Sequence, residues 1–312
     1  MKHFTSIDQI SDLNKWTKEA LEIKANPFAY KSLGENKTIG LLFFNSSLRT
    51  RLSTQKAALN LGMDTLVMNV SEDAWGIEFE DGTIMNGTTA EHIKEAAAVI
   101  SQYCDIIGIR AFPKLEDKSK DESEHILTAF QKYATVPIVN LESSTEHPLQ
   151  ALTDAITITE YNTKNKPKVV LSWAPHPKKL PHAVANSFVK AMKKLDVEFV
   201  ITNPKGYDLN PNITAETQII YSQKEALKDA DFVYTKNWCS YENYGEINDI
   251  EEDWMITKEK IKDAHFMHCL PVRRNVVVED EVLDSEQSLA IEQSNNRTYA
   301  AQLVLKKLLE HV

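Results

Sequence analysis

Continuous apolar runs alternate with helix-period segments along almost the whole chain. Runs rich in β-branched and aromatic residues predict strands at 38–44, 65–70, 105–111, 137–141, 168–174, 198–203, 231–235 and 265–270. Between them, apolar residues recur at helical spacing over 90–103, 147–161, 180–195 and 223–228. A closing helix over 297–312 carries a stripe of Ala301, Leu303, Leu305, Leu308 and Leu309. Strand–helix–strand alternation of this kind predicts an α/β fold whose parallel sheets are covered on both faces. The polar, turn-rich segment YNTKNKPK at 161–168 reads as a connection between two such units. The closing helix could pack on either one. No internal repeat is visible.

Composition narrows the function classes. The chain has 312 residues, enough for two ordinary domains, and is 42% hydrophobic and 26% charged. A net charge of −10 argues against a nucleic-acid partner, because phosphate contacts need a basic surface. It does not argue against a local basic pocket. Cys104, Cys239 and Cys269 lack the paired spacing of a metal site, and an odd count suits a reducing compartment. No run approaches the ~20 apolar residues of a membrane span, and the start has no apolar signal core. The expectation is a cytoplasmic protein without a membrane partner.

Four stretches could carry chemistry. In FFNSSLRTRLS, 43–53, a strand runs into hydroxyls, arginines and a helical pattern marked by Leu52, Lys56 and Leu59. Ser46 or Ser47 would cap that helix. The turn would then offer backbone N–H groups, a helix dipole and Arg49 to an anion. It is not a Walker A loop, whose glycines and lysine are absent. Alone, it reads equally well as a plain cap with surface arginines. In EHPLQALTD, 146–154, His147 and Gln150 share one helix face and Pro148 fixes the helix start. In HFMHCLPVRR, 265–274, a strand delivers Cys269 and Leu270 to its carboxyl end, where open α/β sheets place ligands, and Arg273 and Arg274 follow. In IGIRAF, 107–112, Arg110 ends a buried strand and must be paired or bind an anion.

Taken in order, S-x-R-T-R (47–51), Arg110, H-P-x-Q-x-L-x-D (147–154), H-C-L-P (268–271) and Arg297 resemble the aspartate/ornithine carbamoyltransferase family over essentially the whole chain. The resemblance implies two doubly wound parallel-sheet domains. One, 1–147 with the C-terminal segment 286–312, would bind carbamoyl phosphate. The other, 148–285, would bind the amino substrate. It implies a homotrimer with shared active sites, and no metal or organic cofactor. By the same resemblance, Ser47, Arg49, Thr50 and Arg297 hold the phosphate, with Leu48 contributing backbone. Thr50, Arg110, His147 and Gln150 polarise the carbamoyl oxygen. Cys269 and the Leu270 carbonyl face the carbamoyl nitrogen and the incoming amine.

The acceptor is read elsewhere. Ornithine enzymes of the family carry an aspartate for the α-ammonium, where this chain has Lys236 in DFVYTKNWCSYENYG, and the usual S-M-G is missing. Lysine repels an ammonium and attracts carboxylates. These departures resemble the acylornithine branch, which serves arginine biosynthesis. Trp75 resembles the tryptophan that this branch sends into a neighbouring subunit's carbamoyl phosphate site; alone it could be a core residue. Glu142 matches a branch carboxylate near the substrate, and His176 and Arg273 are candidates for its carboxylates. WAPHPKKLPHAVA, 173–185, resembles the proline-rich loop of a knot. Acetyl members place a glutamate, and succinyl members a proline, where Ala90 stands. Thr88-x-x-Glu91 reads as a capping box that puts Ala90 in a first helical turn. No carboxylate at Ala90 and no lysine at Val277 favour N-succinylornithine. N-acetylornithine is the next reading, since alanine could leave room for both, and ornithine a distant third. A non-catalytic carbamoyl phosphate-binding relative is the rival from another class. A nucleotide-binding protein is weak, because no G-x-G-x-x-G follows a predicted strand. Gly245 and the polar run at 239–248 suggest a mobile loop.

Overall fold

A computed structural model describes residues 1–247, 250 and 253–311. Asn248 of the expected loop and Val312 of the closing helix lie outside the described residues. The chain forms two compact α/β units.

The first unit comprises Met1–Gln9, Glu19–Leu149 and Arg297–Val312. Its four-stranded sheet contains β1 (Thr38–Phe43), β2 (Asp64–Asn69), β5 (Ile106–Arg110) and β6 (Ile138–Glu142), in the order β2-β1-β5-β6 and parallel throughout. Strands buried on both faces need unbroken apolar runs, and TIGLLF and IIGIR supply them. Ile107, Ile109 and Ile138 pack with Leu127, Phe130, Ile93 and Ala97. Each of the larger of these side chains contributes about 1.5–3 kcal/mol on burial. Gly40 lets β1 pass Cys104: a Cβ there would lie 2.6 Å from the sulfur. The end of β5 departs from regular pairing. Between Ile109 and Arg110 the β5–β6 register skips a residue, so that Arg110 stands opposite Glu142. Bulges re-aim side chains in this way.

The first unit also contains a short element that the apolar pattern did not reveal. β3 (Gly76–Glu78) pairs in parallel with β4 (Thr89–His92). This corrects the expected position of Ala90, which lies on β4 and not in a helix. Pairing with β3 takes residues 89–92, and the helix begins at Ile93, with His92 as its N-cap.

The second unit comprises Ile10–Lys18 and Gln150–Asn296. Its parallel sheet contains β7 (Lys168–Trp173), β8 (Glu198–Thr202), β9 (Gln218–Ile219), β10 (Phe232–Lys236) and β11 (His265–Met267), ordered β11-β10-β7-β8-β9. Val170, Val200, Val233, Phe266 and Ile256 are buried together. Two buried indoles are satisfied locally: Trp173 Nε1 donates to the Trp238 carbonyl, and Trp238 Nε1 to that of Tyr207. The segment 161–168 lies inside this unit, where it joins the helix Pro148–Tyr161 to β7. It is therefore not the connection between units that its composition suggested. The closing helix runs from Ala290 to Leu309, beginning seven residues earlier than expected at 297. No described helix is long and apolar enough to cross a membrane.

Candidate active site

β1 runs into Asn45–Leu48, and the helix Arg49–Asn60 starts directly after. Its N-cap is Leu48, whose side chain makes no capping bond; neither Ser46 nor Ser47 serves. Leu48 is already in the right-handed helical region, so the serines lie too early to reach the second or third helical N–H. Leu48 is 65% exposed and brings only backbone to the turn. Ser47 and Arg49 are half-buried beside it, and Thr50 is buried.

Thr50 is the hub of a dense polar cluster within the first unit. Its hydroxyl accepts from Arg110 Nη1 at 3.1 Å and from Arg297 Nη2 at 2.6 Å. Arg110 Nη1 also donates to Glu142 Oε2 at 2.5 Å, and His147 Nε2 lies 3.3 Å from the same oxygen. Arg110, Glu142, His147 and Arg297 are all less than a tenth exposed. Buried charges survive only when paired and hydrogen-bonded, and the β5–β6 register shift supplies that pairing. The Phe112 ring lies 4.4 Å from the Arg110 guanidinium carbon, which locks the plane of the fork. The Arg110 Nε–H is buried without a protein partner among the described residues. Glu142, expected beside the acceptor, is joined to Arg110 and His147.

A residue that the sequence did not single out fixes the loop before His147. Glu124, with φ +52°, accepts from Ser143 Oγ (2.8 Å), Ser144 N (3.1 Å), Thr145 N (2.7 Å) and Thr145 Oγ1 (2.6 Å). Burial pushes its carboxyl up, against the pull of those donors. Nothing in LESSTEHP points back to a glutamate nineteen positions earlier.

In the second unit, Gln150 is 1% exposed and its amide donates to Asp154 at 2.6 Å. Cys269 is half-buried just past β11, and the Leu270 N–H donates to His268 Nδ1 at 2.9 Å. Lys236 ends β10, buried, with its ammonium on the Asn237 carbonyl at 2.9 Å. Arg273 Nε donates to His176 Nε2 at 3.3 Å, and His176 Nδ1 lies 2.9 Å from the Lys178 carbonyl. Burial lowers the His176 pKa, and the charges of Lys236 and Arg273 lower it further, against the Lys178 carbonyl's opposing pull. The Lys178 N–H also donates to Nδ1 at 3.1 Å. Arg274 is engaged otherwise, with Asp280 and Asp284 at 2.6–2.9 Å. Val277 is 2% exposed, its carbonyl bonded to the Ile256 N–H, so it is a core residue of this unit.

Trp75 and Ala90 share the β3–β4 region of the first unit. Trp75 is 60% exposed, and its indole N–H donates to Glu91 at 2.8 Å. Ala90 is exposed. The bland reading of Trp75 as a core tryptophan is therefore excluded within this chain.

Comparison with known proteins gives the family. Residues 2–160 match the family described as aspartate/ornithine carbamoyltransferase, carbamoyl-P binding domain. Residues 181–308 match its Asp/Orn binding domain. The chain is 47% identical to an N-succinylornithine carbamoyltransferase of Bacteroides fragilis, covering all of both chains. It is 35% identical to an N-acetylornithine carbamoyltransferase of Xanthomonas campestris, over 99% of this chain and 98% of that one. Among solved structures, it superposes with a TM-score of 0.93 and 34% identity on an N-acetyl-L-ornithine transcarbamylase. That protein carries an alanine in place of a glutamate, and it is complexed with carbamyl phosphate and N-succinyl-L-norvaline; the match covers 99% of this chain and all of the other. The chain belongs to the aspartate/ornithine carbamoyltransferase family.

Proposed function

We propose that the protein transfers the carbamoyl group of carbamoyl phosphate to the side-chain amine of N-succinyl-L-ornithine, giving N-succinyl-L-citrulline and phosphate, as a cytoplasmic step of arginine biosynthesis. The observation that carries this reading is the buried Thr50–Arg110–Arg297–Glu142–His147 cluster. It collects two guanidinium groups and an imidazole beside an anion-binding helix start.

The amine attacks the carbonyl carbon and a C–N bond forms. The carbonyl oxygen becomes an oxyanion, stabilised by Arg110, His147 and Thr50. The C–O bond to phosphate then breaks, and its electron pair leaves on a phosphate oxygen held by Ser47, Arg49, Thr50 and Arg297. The amine's proton departs with the phosphate. Fixed donors at a developing oxyanion are the largest catalytic term in most such reactions, at about 3 kcal/mol for one donor. Gln150 was expected on the carbamoyl oxygen; because its NH2 is bonded to Asp154, its own carbonyl oxygen is assigned here to the carbamoyl nitrogen, with Cys269 and the Leu270 carbonyl at that nitrogen and the entering amine.

In this reading, residues 1–147 with the C-terminal segment bind carbamoyl phosphate, and 148–285 bind the acceptor. Lys236, Arg273 and His176 suit a substrate with two carboxylates and no free α-ammonium. Ala90 places no negative charge against the succinyl end. The solved relative that carries alanine in place of a glutamate holds a succinylated amino acid, which supports this point. The exposed Trp75 serves a neighbouring copy in a homotrimer with shared active sites. N-acetylornithine is the second reading, because the small Ala90 side chain leaves room for either acyl group.

The test supplies carbamoyl phosphate with ornithine, N-acetylornithine or N-succinylornithine and measures ureido product and phosphate. Preference for the succinyl compound is expected. Equal turnover of ornithine would overturn the Lys236 argument, and no product from any acceptor would favour a binding protein.

A further inference from the structure

We propose that Asp154 is a positioning residue for carbamoyl transfer: a buried carboxylate that dictates which face of the Gln150 amide is presented to the carbamoyl group and, through Gln293, ties that amide to the His268–Leu270 strand end. The proposal rests on the carbamoyl-transfer reading and concerns a residue to which that reading gives no role.

The geometry lies entirely within the second unit. Asp154 is fully buried, one helical turn after Gln150, at the i,i+4 spacing that brings two side chains together. Its Oδ1 accepts two short amide bonds, from Gln150 Nε2 and from Gln293 Nε2, both 2.6 Å. An ionised carboxylate only accepts. Each glutamine must therefore turn its NH2 toward Asp154 and its Oε1 away. For Gln293, also fully buried, the outward Oε1 accepts the His268 N–H at 2.9 Å. His268 Nδ1 in turn accepts from the Leu270 N–H at 2.9 Å. Asp154 thus reaches the backbone of Leu270 through one glutamine while it orients the other.

Tyr234 packs beside this network from β10, fully buried and stacked on Phe188 at 4.4 Å. Burial, followed by the charge of Asp154, holds its hydroxyl well above its ordinary pKa. Two amides converge on one carboxylate oxygen. With its NH2 on Asp154, the Gln150 amide can turn only its carbonyl oxygen toward a carbamoyl group, and so can only accept from it. The NH2 of the carbamoyl group supplies the donor.

A merely structural Asp154 would lower stability and leave the turnover of folded enzyme intact. The experiment is a double-mutant cycle on the purified full chain, with kcat, KM for the acylornithine and the melting temperature measured for each variant. Asp154→Asn keeps size but loses the charge and can donate as well as accept, so Gln150 loses its fixed orientation. A fall in kcat of roughly 10- to 100-fold is expected, as for small misplacements of reacting groups, with acylornithine KM changed by less than about threefold. In a Gln150→Ala background the same substitution should change kcat by less than about twofold, because its effect passes through Gln150. Gln293→Met, which removes both of its bonds without removing bulk, should lower kcat by roughly three- to tenfold and should not multiply with Asp154→Asn. This variant keeps the test decisive if Asp154→Asn does not fold. An Asp154→Asn enzyme with kcat within twofold of wild type, or one that loses the same factor with and without Gln150, would overturn the proposal, as would an unchanged kcat for Gln293→Met. A wild-type protein that makes no ureido product would instead overturn the transfer reading itself.

Discussion

The two polar clusters are built on opposite electrostatic plans. In the first unit, Arg110 and His147 share the Glu142 carboxylate, and Thr50 bridges Arg110 to Arg297. Much of the charge is compensated from inside the fold. In the second, the positive charges of Lys236 and Arg273 both act on His176 and, with burial, lower its pKa. A compensated cluster can be rigid before any ligand arrives, which is what oxyanion stabilisation needs. A cationic cluster gains most when an anion arrives, which is what recognition needs. Under the proposed transfer, chemistry falls to the first kind of polar site and selection to the second, and each can be perturbed alone.

The sharpest way to break this contrast is at Arg110. Arg110→Ala removes an oxyanion donor and strands Glu142 as a buried charge. Steady-state kinetics should show kcat/KM down by roughly 10²- to 10³-fold, the scale of losing one such donor. Retained activity would mean that the compensated cluster is structural only. Next in size is Lys236→Ala. It should raise the acceptor KM by roughly 10- to 100-fold, the cost of a lost charge-assisted contact, and leave carbamoyl phosphate affinity unchanged in equilibrium binding. A change in both would show that the clusters are not separable.

Ala90→Glu should penalise N-succinylornithine against N-acetylornithine by roughly tenfold in kcat/KM, since like charges repel across partly exposed surface. An unchanged ratio of the two acceptors would remove Ala90 from acyl selection. Smallest is Trp75→Ala, expected to weaken carbamoyl phosphate binding by a few-fold, on the order of 1 kcal/mol. Mixing that variant with Arg49→Ala subunits should restore part of the activity. Absence of any rescue would count against shared sites.

The parallel sheets were legible because their central strands are unbroken apolar runs, as in TIGLLF and KVVLSW. β3 and β4 were not. Their sequences, GIE and TAEH, are polar and half exposed, and the capping-box pattern at 88–91 imitates a helix start. The first turns of the closing helix were hidden for a related reason. Gln293 and Asn296 occupy buried positions there, bonded to Asp154 and to Thr157 and Glu160. Polar residues on a buried stripe erase the apolar period. Within the first cluster, Arg110 announced itself as a charge ending a buried strand. Its partner could not be read, because a one-residue register shift in the sheet decides it. Glu124 was equally invisible, since its value comes from a left-handed backbone position and a loop distant in sequence. Asp154 stood inside a quoted motif, and only the geometry of two amides gave it work.

The β3–β4 pair has one further consequence. A two-stranded sheet is only marginally stable without other strands beside it, and among the described residues this one pairs with neither the four-stranded nor the five-stranded sheet. It carries Ala90 and adjoins Trp75. Ile77 anchors it to the core of the first unit, while Ala90 and Trp75 stay exposed. Under the proposed acyl selection, exposed positions on this pair can change one at a time at little cost to the fold.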